Sequence, residues 1–260
     1  MTRIIVALGG GGSGRVKPDG SISTYDTQKI DKEIIRLTGK DKPHFLFLAH
    51  ACRTVKEQDD YFNLLKDIYG KIYGCDCKHL KSTYLVDKNK VNELIEWADI
   101  IYEGGGTTRI MIDLWKKTGF DKTLKKAWES GKVMCGLSAG GNCWFKECTT
   151  DILRELYGED QPLTGMKCLG FLNGHFCPHG EKEDREESLK NILKTSNEVG
   201  LLFTRCAALE ILDDKYRVIT SRKEAYAKRS YWDKDKYIVE DIKLDKEFKD
   251  LNTLINKEVE

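Results

Sequence analysis

The chain has 260 residues, and 43 Lys plus Arg stand against 42 Asp plus Glu for a formal net charge of +1. That length suits one large α/β domain whose core needs no disulfide staples, and the charge balance gives no electrostatic ground for a nucleic-acid or anionic-membrane partner. No apolar run approaches the ~18 residues of a membrane span, the N-terminal MTRIIVALGG lacks a signal-peptide pattern, and nine scattered cysteines read as free thiols of a cytoplasmic protein.

RIIVALG (residues 3–9) is a short apolar run ending in glycine, the pattern of a buried parallel strand. TQKIDKEIIRLTGK sets Ile30, Ile34, Ile35 and Leu37 at helical spacing and stops at Gly39. HFLFLAHA is a second strand, and EQDDYFNLLKDIYGKIYG is an amphipathic helix with Tyr61, Leu64, Leu65 and Ile68 on one face. CKHLKSTYLV reads as a third strand, NKVNELIEWA as a helix, and DIIYEGGG as a fourth strand running into glycines. TTRIMIDLWKKTG and FDKTLKKAWESG are helices, and KVMCGLS is a fifth strand ending at Ser138. The Cys75, Cys77 and His79 of CDCKH fit an alternating strand better than a metal knuckle, since no second ligand pair follows.

This alternation predicts a doubly wound, mainly parallel sheet in an α/β fold, because each short apolar strand needs a crossover helix. After Ser138 it weakens. REESLKNILKTS is helical, LEILDDKYRVITS reads as two strands around an Asp-Asp turn, and AYAKRSYWDKDKYIVEDIKL as further antiparallel edge. The tail DKEFKDLNTLINKEVE reads as a charged amphipathic helix. With four prolines and no low-complexity linker, residues 1–260 are expected to form a single domain.

Three glycine-rich stretches carry the chemistry. GGGGSG matches a dinucleotide fingerprint through Gly9, Gly11 and Gly14, but the loop RVKPDGSIST follows where a helix should open, and AHACRT supplies no ribose-binding acid. EGGGTTR (residues 103–109) ends a strand with glycines whose N–H groups can face an oxyanion. GLSAG (residues 136–140) fits G-x-S-x-G between a strand and a helix, the nucleophile elbow that lifts a serine hydroxyl above a sheet. Such a hydroxyl needs a base. Of the five histidines, His44 and His79 belong to strands, His50 ends one and reaches toward the cleft, and His175 and His179 sit in NGHFCPHG, read as a loop.

These stretches, with IDKEIIRLTGK, FCPHG and AALEILDDKYRVI, resemble the peptidase E family of serine peptidases, which includes aspartyl dipeptidases and is related to cyanophycinases. The resemblance covers nearly the whole chain and implies a class I glutamine amidotransferase-like, flavodoxin-like fold. It implies Ser138 as nucleophile and His179 as base. It places the oxyanion hole at Gly105, Gly106 and Ala139, and a substrate-reading arginine at Arg185. There are three departures from the family pattern: Gly141 replaces an alanine, Thr107 replaces an asparagine placed to touch substrate, and Thr204 and Arg205 stand where an acid precedes GAAL-like text. Asp151 is therefore the first candidate for the triad acid and Glu210 the next.

The expected function is a cytoplasmic serine exopeptidase acting on short peptides, including dipeptides with N-terminal Asp. No metal or organic cofactor is implied, and the expected assembly is a monomer or homodimer. Two rivals stand beside it. One is a homologue that binds a peptide or amino acid without cleaving it, motivated by the altered FTR segment. The other is an amidase using Cys135.

Overall fold

The protein is described by a computed structural model covering residues 1–12, 24–244 and 246–257. Five strands build a parallel core: β1 (Ile4–Leu8), β2 (His44–Leu48), β3 (Asp76–His79), β4 (Ile100–Glu103) and β5 (Val133–Leu137). Their side chains divide by alternation. Ile5, Ala7, Leu46, Leu48, Ile101 and Met134 enter one apolar cluster, while Ile4, Val6, Leu8, Phe45, Phe47 and Cys135 enter another. A strand buried on both faces must be apolar throughout, which is why these segments read as continuous runs.

The connecting helices cover both faces. α1 (Gln28–Leu37) and α2 (Val55–Leu65) pack Ile30, Ile34, Tyr61 and Leu65 into the second cluster. α3 (Lys88–Trp97), α4 (Thr108–Thr118) and α5 (Phe120–Glu129) pack Leu94, Trp115 and Leu124 into the first. Their ends follow local chemistry. Thr54 and Glu57 form a reciprocal capping box at the start of α2, and Gly39 and Gly119 take left-handed conformations after α1 and α4. No helix among the described residues is long and apolar enough to cross a membrane.

Beyond β5 come α6 (Ala139–Asn142), β6 (Phe145–Thr150), α7 (Ile152–Tyr157), β7 (Thr164–Lys167), β8 (Leu172–Cys177), α8 (Arg185–Leu193) and β9 (Gly200–Phe203). They are followed by β10 (Ala207–Leu212), β11 (Lys215–Thr220), β12 (Ala227–Asp233), β13 (Lys236–Asp241), β14 (Lys249–Asp250) and α9 (Asn252–Ile255). The result is an eight-stranded sheet of order β14-β11-β10-β1-β5-β4-β2-β3 and a six-stranded sheet of order β13-β12-β9-β8-β6-β7. In the first, β10, β11 and β14 extend the parallel core beyond β1, each pairing antiparallel to its neighbour. The second sheet is mixed, with β6, β8 and β9 parallel and its other pairs antiparallel. One apolar cluster includes Met134 of the first sheet and Phe176 and Phe203 of the second.

The second sheet is the main departure from the sequence reading. NGHFCPHG is not all loop: β8 runs to Cys177, and the loop begins at Pro178. The segment from Ala227 to Asp241 forms the expected antiparallel pair, but it joins the second sheet. CKHLKSTYLV is strand only to His79 and then turns 3-10 helical. The charged tail holds a helix over only Asn252–Ile255 among the described residues, with Leu251 and Leu254 buried in the core and Ile255 packed against it.

Candidate active site

Ser138 stands where β5 ends and α6 begins, at φ 57° and ψ −110°. That left-handed backbone costs about 1–3 kcal/mol in a non-glycine residue and persists only where the surroundings enforce it. Here they do. The Ser138 N–H donates to Leu8 O at 3.0 Å, and its carbonyl accepts from Gly141 and Asn142. A Cβ on Gly140 would lie 2.1 Å from Glu103 O, and one on Gly136 would lie 2.4 Å from Gly140 O. The small residues of GLSAGG are therefore required by backbones that pass in contact, and the serine side chain is the one left to project.

His179 meets it from the loop that follows β8 of the second sheet. Ser138 Oγ and His179 Nε2 are 2.9 Å apart. The histidine also holds a positive φ of 59° and donates its N–H to Gly9 O at 2.9 Å. A Cβ on Gly10 would strike the His179 ring at 2.9 Å, so the first glycine stretch is the bed on which the imidazole lies. Gly14 of that stretch, part of the dinucleotide pattern, lies outside the described residues.

The carboxylate facing the other ring nitrogen belongs to Glu181. Its Oε1 is 3.6 Å from His179 Nδ1, and its Oε2 accepts the Arg205 N–H at 2.8 Å. Burial works to raise the Glu181 carboxyl, but the imidazole and the Arg205 and Glu181 backbone N–H groups outweigh it and hold the carboxyl down at about 2. Arg205, at the position where the family pattern has an acid, thus presents its backbone to Glu181. Its guanidinium turns away to Asp26 at 2.8 Å.

Neither expected triad acid stands behind the imidazole. Asp151 lies in the cleft but pairs with Arg185, with Oδ2 3.5 Å from the guanidinium. Glu210 sits mid-strand in β10, where alternation turns it away to Arg217 at 2.8 Å. Gly105 also differs from expectation: its N–H donates to Tyr61 Oη at 3.3 Å. Gly106 lines the cleft beside Ser138, and Ala139 follows the serine at the start of α6. Thr107 caps α4, with its N–H on Ala51 O at 2.9 Å and its hydroxyl donating to Glu155 at 2.7 Å. Arg185 is 2% exposed and lines the cleft, and its Nε has no hydrogen-bond partner among the described residues.

The other histidines are structural. His50 does not reach the cleft. It is buried between Leu80 O, to which Nε2–H donates at 2.7 Å, and the Trp115 Nε1–H, which donates to Nδ1 at 2.8 Å. Burial pushes its pKa down to about 3. His175 is buried between Thr149 Oγ1 at 2.9 Å and Glu147 at 3.4 Å. Cys135 is buried within β5, and burial holds its thiol well above the ordinary range, which removes the Cys135 amidase reading.

Residues 19–219 match the model of peptidase family S51. The chain belongs to peptidase family S51. Its relatives include the Bacillus subtilis (strain 168) peptidase YgaJ, 34% identical over 230 residues that cover 86% of this chain and 90% of that one. The fold is shared with two solved structures. A peptidase from an acI-B1 Actinobacterium superposes with a TM-score of 0.68 at 17% identity, covering 96% of this chain and 97% of its own. A protein assigned to peptidase E from Listeria monocytogenes EGD-e superposes with a TM-score of 0.59 at 15% identity, covering 85% of this chain and 99% of its own.

Within this S51 chain, a cleft of about 380 Å³ opens over Ser138 and His179. Two of its residues carried no sequence signal. Arg53 follows β2 in AHACRT, and Glu155 lies on α7, yet Arg53 Nη2 and Glu155 Oε2 meet at 2.5 Å across the cleft rim. Glu181, only two positions after His179, was legible as an acid but not as a partner, because the family pattern directs attention to the chain near Arg205.

Proposed function

We propose that this S51 peptidase is a serine exopeptidase of short peptides, with Ser138 as nucleophile, His179 as base and Glu181, in place of Asp151, orienting the imidazole. The observation that carries this reading is the 2.9 Å contact between Ser138 Oγ and His179 Nε2 at a strained elbow, with a carboxylate behind the ring.

The chemistry follows from the geometry. His179 Nε2 takes the Ser138 proton as Oγ bonds to the scissile carbonyl carbon, and the carbonyl π electrons move to its oxygen. The N–H groups of Gly106 and Ala139 face that developing oxyanion. Collapse of the intermediate breaks the C–N bond, and the imidazolium gives its proton to the leaving amine. Water then attacks the Ser138 ester with His179 again as base, releasing the acid and restoring the hydroxyl. Glu181 stabilises the imidazolium in both half-reactions. Arg185, buried and with Nε unpaired among the described residues, supplies a planar cation for an acidic side chain at the substrate's N-terminal residue.

The reading of a peptide-binding, non-cleaving homologue rested on the acid missing at Thr204–Arg205. Glu181 provides a carboxylate from another part of the chain, so hydrolysis is the function this geometry supports best. The test is labelling by a fluorophosphonate, which forms a covalent bond only with an activated serine. Stoichiometric adduct on the peptide carrying Ser138, lost in Ser138→Ala and in His179→Gln, supports the reading. A folded protein that stays unlabelled while a control hydrolase reacts removes it.

A further inference from the structure

A carboxylate of the protein itself occupies the cleft rim. Glu155 Oε2 accepts from the Thr107 hydroxyl at 2.7 Å and from Arg53 Nη2 at 2.5 Å, and all three residues line the same cavity as Ser138. A guanidinium and a hydroxyl converging on one carboxylate oxygen, beside a nucleophile for peptides, is the chemistry that recognises a peptide's C-terminus. The helix that brings Glu155 there is weakly anchored. α7 buries none of its residues, and Leu156 and Tyr157 are 58% and 72% exposed. Its polar ties include Glu155 itself, Arg154, which pairs with Asp184 at 2.6 Å and donates to Gln161 O at 2.7 Å, and the Ile152 N–H, which donates to Thr150 Oγ1 at 3.3 Å.

Past the same residues lies a second cavity of about 680 Å³. Arg53, Gly106 and Thr107 line both cavities, so a ligand crossing the Gly106–Thr107 turn touches both. The far side is more apolar, formed by Cys52, Tyr61 and Leu64, with the carboxylates of Glu57 and Asp60 at its margin.

We propose that Arg53 and Thr107 are the seat of the free C-terminal carboxylate of the substrate's leaving residue, held here by Glu155, and that the Cys52–Tyr61–Leu64 cavity takes that residue's apolar side chain. This rests on the peptidase reading for the word leaving, but the seat itself is a binding site and is testable without turnover. Exchange of one carboxylate for another leaves the half-exposed Arg53 guanidinium paired throughout. The site then selects peptides that end one residue after the scissile bond and carry an uncharged, bulky residue there. Glu57 and Asp60 disfavour an acidic one.

The experiment is calorimetric titration of Ser138→Ala with Asp-Leu and with Asp-Leu-amide. Loss of a charge-assisted pair at a half-exposed site predicts about tenfold weaker binding of the amide. Arg53→Ala should lower Asp-Leu to the amide's affinity and leave the amide unchanged. Glu155→Gln should tighten Asp-Leu selectively by weakening its competitor. Equal binding of acid and amide, an Arg53→Ala effect common to both, or no binding of either at millimolar concentration overturns the proposal. Hydrolysis by the unsubstituted protein is read separately. Cleavage without preference for the free carboxylate sinks the seat and keeps the peptidase. Carboxylate-dependent binding without cleavage keeps the seat and sinks the peptidase.

Discussion

Glu181→Gln isolates the contribution of the carboxylate behind His179. The substitution keeps the shape and the acceptor for the Arg205 N–H but removes the charge that faces Nδ1 at 3.6 Å. At that separation an imidazolium and a carboxylate attract by about 4–5 kcal/mol in an effective dielectric of 20 and by about 1 kcal/mol in water. The Glu181 side chain is 39% exposed and His179 26%, so solvent screens much of this. A value of about 2 kcal/mol follows, equivalent to a loss of about thirtyfold in kcat/KM. That is well below the ~10⁴-fold penalty of disabling a fully buried triad acid. The assay is initial-rate hydrolysis of Asp-Leu between pH 6 and 9, with Asp151→Asn and Glu210→Gln measured alongside. Because the folded carboxyl sits near 2, below its ordinary value, Glu181 is ionised across this range and its interaction is lost only at much lower pH. The deficit should fall mainly in kcat, because the carboxylate acts on the imidazolium formed during the reaction. A Glu181→Gln enzyme within threefold of the parent, with Asp151→Asn as the crippled variant, would refute the reasoning and restore the acid to Asp151.

Other outcomes follow from the same structure. His50 has its pKa lowered to about 3, so below its ordinary value the unfolded chain takes up a proton that the folded chain refuses. Urea midpoints should accordingly fall as pH drops from 7 toward 4, and His50→Gln should flatten that slope. Glu103 shows the opposite sign: complete burial pushes its carboxyl well above the ordinary range, so it contributes stability at low pH that is lost as pH rises. Glu103→Gln, an isostere of the neutral acid, should remove that alkaline loss in thermal melts across pH 5 to 9. Gly140→Ala places a methyl against Glu103 O at 2.1 Å and should lower stability by about 3 kcal/mol in urea unfolding and abolish Asp-Leu cleavage.

Most strands and helices up to Ser138 were legible because they are buried on a period that sequence displays: Ile4 to Leu8 lie in the core on both faces, and Ile30 and Ile34 form a stripe, whereas the half-exposed β3 ends at His79, short of the strand read there. The second sheet was not. β6, FKECTT, and β8, LNGHFC, mix polar residues whose hydrogen bonds are made inside the protein, such as Thr149 with His175. Satisfied buried polar groups look like loop in one dimension. In the cleft, the elbow and its histidine were readable because both need fixed local chemistry, small neighbours in one case and a proline-bounded loop in the other. Glu181 was not, because the family pattern directs attention to the chain near Arg205, and Arg53 and Glu155 were not, because their roles arise from a contact across the chain. Arg53 and Glu155 are 102 positions apart.

We propose that the Ser138 hydroxyl, activated by His179, cleaves a peptide bond. The decisive experiment incubates the purified protein and Ser138→Ala with Asp-Leu and measures free leucine. Release by the parent and none above background by the variant is expected. Folded parent protein that releases no leucine, or equal release by both, would contradict the proposal.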